Sequence, residues 1–315
     1  MRIVMLDAGT LGADIDLSPV ISLGESTVYK STDAAQVTAR LQNADVAVLN
    51  KIKMTREVIN SLPSLKLICV TATGYDNIDL DTCRERGITV CNVPAYSTDS
   101  VAQVTLAMAL SLATHLPAYR AHVHTGAYTG GGVANHLTPV YHELSGMTWG
   151  VIGGGHIGGQ VARVASAFGC RVQLCRRKQD PVYPTVDIDT LCRTSDIISV
   201  HLPLTEQTRG IINRERIAAM KQGALFINVA RGAVTDEAAL ADAILSGHLG
   251  GLGVDVFTIE PFLAEHPFSR ILDRENVCLT PHMAWGSFEA RTRCLAVVAD
   301  NIKQFTAGDV QNRIV

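Results

Sequence analysis

The sequence has no large excess of charge: 27 Lys and Arg stand against 30 Asp and Glu, for a formal net charge of -3. No global field therefore favours nucleic acid or a membrane surface as a partner. No apolar run reaches bilayer-spanning length, and there is no tandem repeat or low-complexity tract. The opening, Met1 to Asp7, reads as a first β-strand without the cleavage features of a signal peptide. The eight cysteines include no C-x-x-C pair, and Cys69, Cys170 and Cys278 lie in or beside apolar runs. They are expected to be reduced, mostly buried thiols of a cytoplasmic protein, with no disulfide between Cys170 and Cys175. His122, His124, His136 and His142 have no cysteine or carboxylate at ligand spacing, so no metal is expected.

What is present is a core-forming composition, 47% hydrophobic and 18% charged over 315 residues, with room for two domains. Strand-like runs alternate with helical patterns almost throughout, which argues for α/β with parallel sheets. Strands are expected at 3–6, 46–49, 67–71 and 88–91, then at 149–152, 171–175, 197–200, 225–229, 252–256 and 277–280. One doubly wound sheet of that many strands would be unusually wide, so two sheets are expected, with a crevice between them as the default ligand site. A nearly all-apolar helix from about Ser97 or Thr98 to His115 needs burial on most faces, at a domain junction or a subunit interface. Residues 125–142 read as a loop, and an amphipathic helix is expected from about Phe288 to Ala307.

The most specific local signal is Val151-Ile-Gly-Gly-Gly-His-Ile-Gly158, with G-x-G-x-x-G spacing at Gly153, Gly155 and Gly158. It follows an apolar strand and opens a helix, the context of a dinucleotide fingerprint. The glycines permit a tight turn, close approach of backbone to a pyrophosphate, and close helix–strand packing. With His156 and Ile157 they place unpaired N–H groups and a positive dipole end at the phosphates. About 20 residues beyond such glycines an NAD site usually carries an Asp or Glu for the ribose. Here the strand ends in Arg176 and Arg177. A guanidinium binds a 2′-phosphate that a carboxylate would repel, so NADP(H) is the preferred cofactor and NAD(H) the alternative. A solvated basic loop would have the same composition.

Three later strand ends carry polar groups: Arg231 after Phe226–Ala230, Glu260 before Pro261, and His282 after Pro281. Ligands of open α/β sheets bind beyond the carboxyl ends of strands, where all three are expected. Reduction of a 2-keto acid needs a proton donor titrating near neutrality, a carboxylate to tune it and a fixed cation for the carboxylate and carbonyl. His282, Glu260 and Arg231 fit those roles. Taken singly, each also reads as an ordinary surface or loop residue.

The chain resembles the D-isomer-specific 2-hydroxyacid dehydrogenases, and within them the glycerate dehydrogenase/hydroxypyruvate reductase branch. The resemblance is carried by Thr73-Gly-Tyr-Asp-Asn-Ile-Asp79, Asn92 to Gln103, the glycine motif, His201-Leu-Pro-Leu-Thr205, Asn228-Val-Ala-Arg-Gly232, Asp255 to Pro261 and Thr280-Pro-His-Met-Ala-Trp285. It implies two Rossmann-like, doubly wound domains with the active site in the interdomain cleft. One is a discontinuous substrate domain of residues 1–97 and 287–315, and the other a dinucleotide-binding domain of residues 98–286. It implies Arg231, Glu260 and His282 as the catalytic residues, and backbone N–H groups around Thr73 and Gly74 on the substrate carboxylate. It further implies Asp255, with the carbonyl of Val229 or Ala230, on the nicotinamide carboxamide, and His201, Pro203 and Thr205 along the cofactor. A homodimer through the long apolar helix also follows.

Two departures bear on specificity. Arg176 replaces the family's frequent Asp, and residues 129–136 are unlike the Trp-rich segment of this branch. Lys51 stands where branch members often carry a pocket lysine, and substrate contact and simple solvation are both open for it. The expected activity is reduction of hydroxypyruvate or glyoxylate to the D-2-hydroxy acid. Larger 2-keto acids such as phenylpyruvate, or a non-catalytic nucleotide-sensing role like that of corepressors of this fold, are the alternatives.

Overall fold

The computed structural model describes residues 1–315 and divides them into two compact units. The first comprises Met1–Ser97 with Trp285–Val315, the second Thr98–Ala284. The chain thus leaves the second unit two residues earlier than the expected boundary at 286, because Trp285 packs edge-on against Tyr96 of the first unit at 6.3 Å.

In the first unit, β1 (Arg2–Met5), β2 (Glu25–Val28), β3 (Val46–Leu49), β4 (Leu67–Val70) and β5 (Thr89–Cys91) form a parallel sheet of order β2-β1-β3-β4-β5. β3 and β4 are buried at every position because the sheet is covered on both faces. Ile3, Met5, Val46, Val48 and Leu67 face one core with Ala290, Leu295, Val298 and Ile302 of the helix Phe288–Thr306. Their neighbours Val4, Leu6, Ala47, Leu49 and Ile68 face the other, against Val37, Leu41, Ile59 and Leu62. This is the period-two alternation of strands. The chain end covers the β5 edge, Ile314 N–H donating to Val90 O at 2.8 Å. β2 is absent from the expected strands: it is a Ser/Thr-containing edge strand, largely exposed, with no hydrophobic pattern to reveal it.

The second unit holds β6 (Thr148–Ile152), β7 (Arg171–Cys175), β8 (Ile197–Val200), β9 (Ala224–Asn228), β10 (Leu249–Val254) and β11 (Val277–Leu279), in the order β11-β10-β9-β8-β6-β7. All pair in parallel. The chain passes from β6 outward to β7 and then back across to β8, so the topological switch lies between β6 and β8. Ligand crevices of open α/β sheets lie at such points, beyond the carboxyl ends of the strands. The apolar helix, Thr98–Ala113, packs on this unit's own sheet. Glycines make room for it: a Cβ on Gly251 would stand 3.2 Å from Leu112, and one on Gly253 3.2 Å from Met108. Much of its burial therefore comes from its own sheet.

The segment expected to be a loop is partly ordered. The helix Leu116–His124 runs to its edge, and a single helical turn, Ala127–Gly130, lies inside it. All eight cysteines are free, six of them buried and Cys175 and Cys278 half-buried. No single helix is long and apolar enough to cross a membrane.

Candidate active site

The glycine motif forms the turn from β6 into the helix His156–Ala167. Gly153 adopts φ 100°, in the region that favours glycine, and a Cβ there would stand 2.7 Å from the His201 carbonyl at the end of β8. Gly158 is buried against the Gly153 carbonyl so closely that a Cβ would collide with it. Gly155 has ordinary backbone geometry, with nothing within 4 Å of where a Cβ would stand, and is exposed. The turn therefore leaves an open cradle at the first amides of a helix, the arrangement a pyrophosphate needs. His156 is exposed and Ile157 half-buried at the same helix start.

Arg176 follows β7, and its side chain lies over this turn, with Cδ 2.9 Å from where a Cβ on Gly154 would sit. Its Nη1 donates to Asp180 Oδ2 at 2.6 Å. Asp180 Oδ1 in turn accepts from Val182 N and Tyr183 N, and these backbone bonds, with Arg176, hold its carboxyl below the usual carboxylate range. Asp180 is a partner that sequence reasoning misses, since an Asp in a polar loop carries no signal of its own. Arg177 is exposed. Further along the crevice wall, Pro203 O accepts from the Thr208 hydroxyl, and Thr205 N–H donates to that same hydroxyl oxygen, so this loop is fastened to itself. The donor set fits a dinucleotide: backbone amides at a helix start, a glycine cradle and a guanidinium over it.

The three residues expected to be catalytic all belong to the second unit. His282 Nδ1 lies 2.6 Å from Glu260 Oε2. Glu260 Oε1 accepts from Phe257 N–H at 3.0 Å, which fixes the carboxylate from its other side. The pair is about a quarter exposed, 21% for the histidine and 28% for the glutamate. A carboxylate on Nδ1 places the N–H there and leaves Nε2 to exchange a proton with a ligand. His282 itself sits at φ 53°, a left-handed conformation rare outside glycine and a common mark of functional positions. Arg231 follows β9, with Nη1 donating to Ala230 O at 2.8 Å, while Asn228 Nδ2 holds the Arg231 carbonyl. The next residue, Gly232, packs so tightly on the Phe257–Thr258 peptide that a Cβ would clash with it. Arg231 and Glu260 thus grow from two backbones in direct contact.

Asp255 shapes the turn that carries His282. It is 1% exposed and accepts from the Thr280 hydroxyl at 2.6 Å, Met283 N at 2.8 Å and Ala284 N at 2.9 Å. Burial pushes its carboxyl above the usual range, against those hydrogen bonds. The sequence gives no sign of this structural role for a residue expected on the carboxamide. Val229 and Ala230 are buried at the adjacent strand end.

In the first unit Thr73 is exposed and Gly74 half-buried. The Thr73 hydroxyl donates to Val93 O, and its carbonyl accepts from Asn92 Nδ2. Lys51 is exposed, and its backbone N–H donates to the buried Asp7 carboxylate at 2.7 Å. Asp7 also accepts from Asn50 N–H at 2.9 Å.

Comparison with known proteins places the chain in a family. Residues 106–284 match the family model described as D-isomer specific 2-hydroxyacid dehydrogenase, NAD binding domain. Hydroxypyruvate reductase of Blautia hydrogenotrophica is 35% identical over 99% of each chain. Among solved structures, the acyclic imino acid reductase Bsp5, in complex with NADPH and D-Arg, superposes with a TM-score of 0.88 at 28% identity, covering 100% of both chains. D-lactate dehydrogenase of Aquifex aeolicus, complexed with NAD and lactic acid, gives 0.85 at 31% identity over 98% of this chain and 96% of that one. With the family model over more than half its length and a relative matched end to end, the chain belongs to the D-isomer-specific 2-hydroxyacid dehydrogenases and is an enzyme of that family.

Proposed function

We propose that this enzyme reduces a small 2-keto acid of the hydroxypyruvate or glyoxylate type to the D-2-hydroxy acid, with NADP(H) preferred over NAD(H). The observation that carries the chemistry is the 2.6 Å contact between His282 and Glu260, beyond the carboxyl end of β11 in the unit bearing the glycine cradle. Gly153, Gly155, His156, Ile157 and Gly158 hold the pyrophosphate, with Asp255, Val229, Ala230, His201, Pro203 and Thr205 along the rest of the cofactor. When bound, the nicotinamide supplies the hydride. Arg231 binds the substrate carboxylate and draws charge from the keto oxygen. His282 gives its Nε2 proton to that oxygen, and Glu260 stabilises the imidazolium beforehand through Nδ1–H. In the first unit, the backbone N–H groups around Thr73 and Gly74 are assigned to the substrate carboxylate, and Lys51 to substrate contact.

The placement of Arg176 over Gly154 supports the cofactor preference. Charge-assisted bonds to a 2′-phosphate are each worth about 1.5–3 kcal/mol, roughly 10- to 100-fold in affinity. The test is initial-rate reduction of hydroxypyruvate, glyoxylate and phenylpyruvate with NADPH and with NADH. Arg176→Ala is expected to raise the NADPH KM about 10- to 100-fold and to leave NADH nearly unchanged. His282→Gln is expected to lower kcat by about 10²- to 10⁴-fold while nucleotide binding persists. Equal use of both cofactors by the parent enzyme refutes the preference, and tight nucleotide binding without turnover of any keto acid points to the sensing role.

We further infer a homodimer formed through the 116–141 segment. Its apolar side chains are unusually exposed: Leu116 60%, Val133 63%, Leu137 70% and Val140 71%. Beside it a cavity of about 700 Å³, lined by Leu112, Val140, Tyr141, Lys221 and Gly250, opens near the amino ends of the strands, away from His282. Several large apolar side chains left exposed along one segment support association there.

A further inference from the structure

A second glutamate–histidine pair lies behind the first. Glu237 Oε2 is 3.0 Å from His266 Nε2, and the two side chains are only 10% and 7% exposed. His266 Nδ1 accepts from Phe268 N–H at 3.2 Å, so the ring proton sits on Nε2 and is donated to Glu237. The imidazole is packed among Phe257, Phe262 and Phe268, with ring centroids 6.0, 4.9 and 5.1 Å away. That apolar surround strengthens the hydrogen bonds it encloses. The remaining oxygen, Glu237 Oε1, accepts from Thr258 N–H at 2.9 Å.

Glu237 opens the helix Glu237–Leu245, yet it is not needed as the cap: Asp236 already accepts from Ala239 N–H at 2.9 Å. Its partner on the other side is the backbone of the reacting groups. Adjacent amides, Phe257 and Thr258, donate to two different glutamates, Glu260 and Glu237. The peptide joining them is the one against which Gly232, next to Arg231, is pressed.

We propose that the buried Glu237–His266 pair is a positioning element that clamps the Phe257–Thr258 peptide and so sets Glu260 against His282 and Arg231 beside them. This rests on the roles given above to Arg231, Glu260 and His282. Glu237 touches no reacting atom; it acts by holding the Thr258 amide, adjacent to the Phe257 amide that holds Glu260. Loss of the clamp frees Glu260 to turn from His282, which faces Asp255 as well as Glu260.

The test compares Glu237→Ala with Glu237→Gln in the full-length enzyme. Glu237→Ala is expected to lower kcat about 10-fold or more, leave the NADPH KM within about twofold, and move the alkaline limb of the pH profile to lower pH. Glu237→Gln keeps an oxygen for Thr258 and is expected to fall between the parent and Glu237→Ala. In the free enzyme, proton NMR should show a downfield resonance for the His282 Nδ1–H on Glu260, assigned by its disappearance in His282→Gln. That signal should broaden or vanish in Glu237→Ala.

Parent-like kcat, pH profile and resonance in a folded Glu237→Ala overturn the proposal, whatever its melting temperature. If Glu237→Ala does not fold, parent-like behaviour of Glu237→Gln in all three readouts overturns it. The resonance needs no substrate, so it decides on the clamp even if the parent reduces none of the keto acids, an outcome that would instead refute the catalytic reading.

Discussion

At the scale of single residues, His201 shows how a neighbour decides a protonation state. Trp149 Nε1–H donates to Ser199 Oγ at 2.9 Å, and His201 Nε2 lies 3.0 Å from the same oxygen. The hydroxyl has one hydrogen, and it is satisfied when His201 Nε2 accepts it. The ring is then neutral, with its proton on Nδ1, a buried atom that has no partner within the chain. Burial pushes its pKa from the usual 6.5 down to about 3. A base whose folded pKa is depressed loses stability as pH falls, because the unfolded chain takes up the proton first. The parent should therefore lose stability between about pH 6.5 and about 3 more steeply than His201→Asn. Melting temperature against pH for both proteins checks this, and parallel curves would count against it. His201 is legible in the sequence through the His-Leu-Pro-Leu-Thr run. Trp149 and Ser199 are not, since inside strands they look like packing alone.

At the scale of elements, the glycine turn separates two reasons for glycine that one motif conflates. Gly158 is required by packing and Gly155 by open space. Gly158→Ala forces a methyl against the Gly153 carbonyl, and overpacking of this kind costs about 1–3 kcal/mol. Its melting temperature should fall. Gly155→Ala should fold like the parent yet bind NADPH more weakly, because its methyl occupies the cradle. Calorimetric melting and fluorescence titration with NADPH test the pair, and equal destabilisation of both would contradict the assignment. The same scale explains what sequence can reveal. Arg231, Glu260 and His282 are legible because strand ends are predictable from hydrophobic runs and chemistry gathers there. Glu237 and His266 are not: a glutamate at a helix start reads as charge complementing the dipole, and a histidine before Pro267 as loop. β2 escapes because an exposed edge strand has no face to bury.

At the scale of the whole chain, association is expected to involve residues 116–141. Sedimentation should give twice the 33.7 kDa of one chain, and Leu137→Asp with Val140→Asp should return a monomer. A monomeric parent at micromolar concentration would refute the dimer.

Both units share a switch-point topology, since the first, of order β2-β1-β3-β4-β5, turns between β1 and β3. There, however, Asp7 follows β1 and already takes the Asn50 and Lys51 amides that follow β3. A tethered anion thus fills the niche that in the second unit is kept clear by glycine. The chain carries two frameworks of the kind that cradles phosphate, one of them stoppered from within, so titration with nucleotide is expected to saturate at one per subunit.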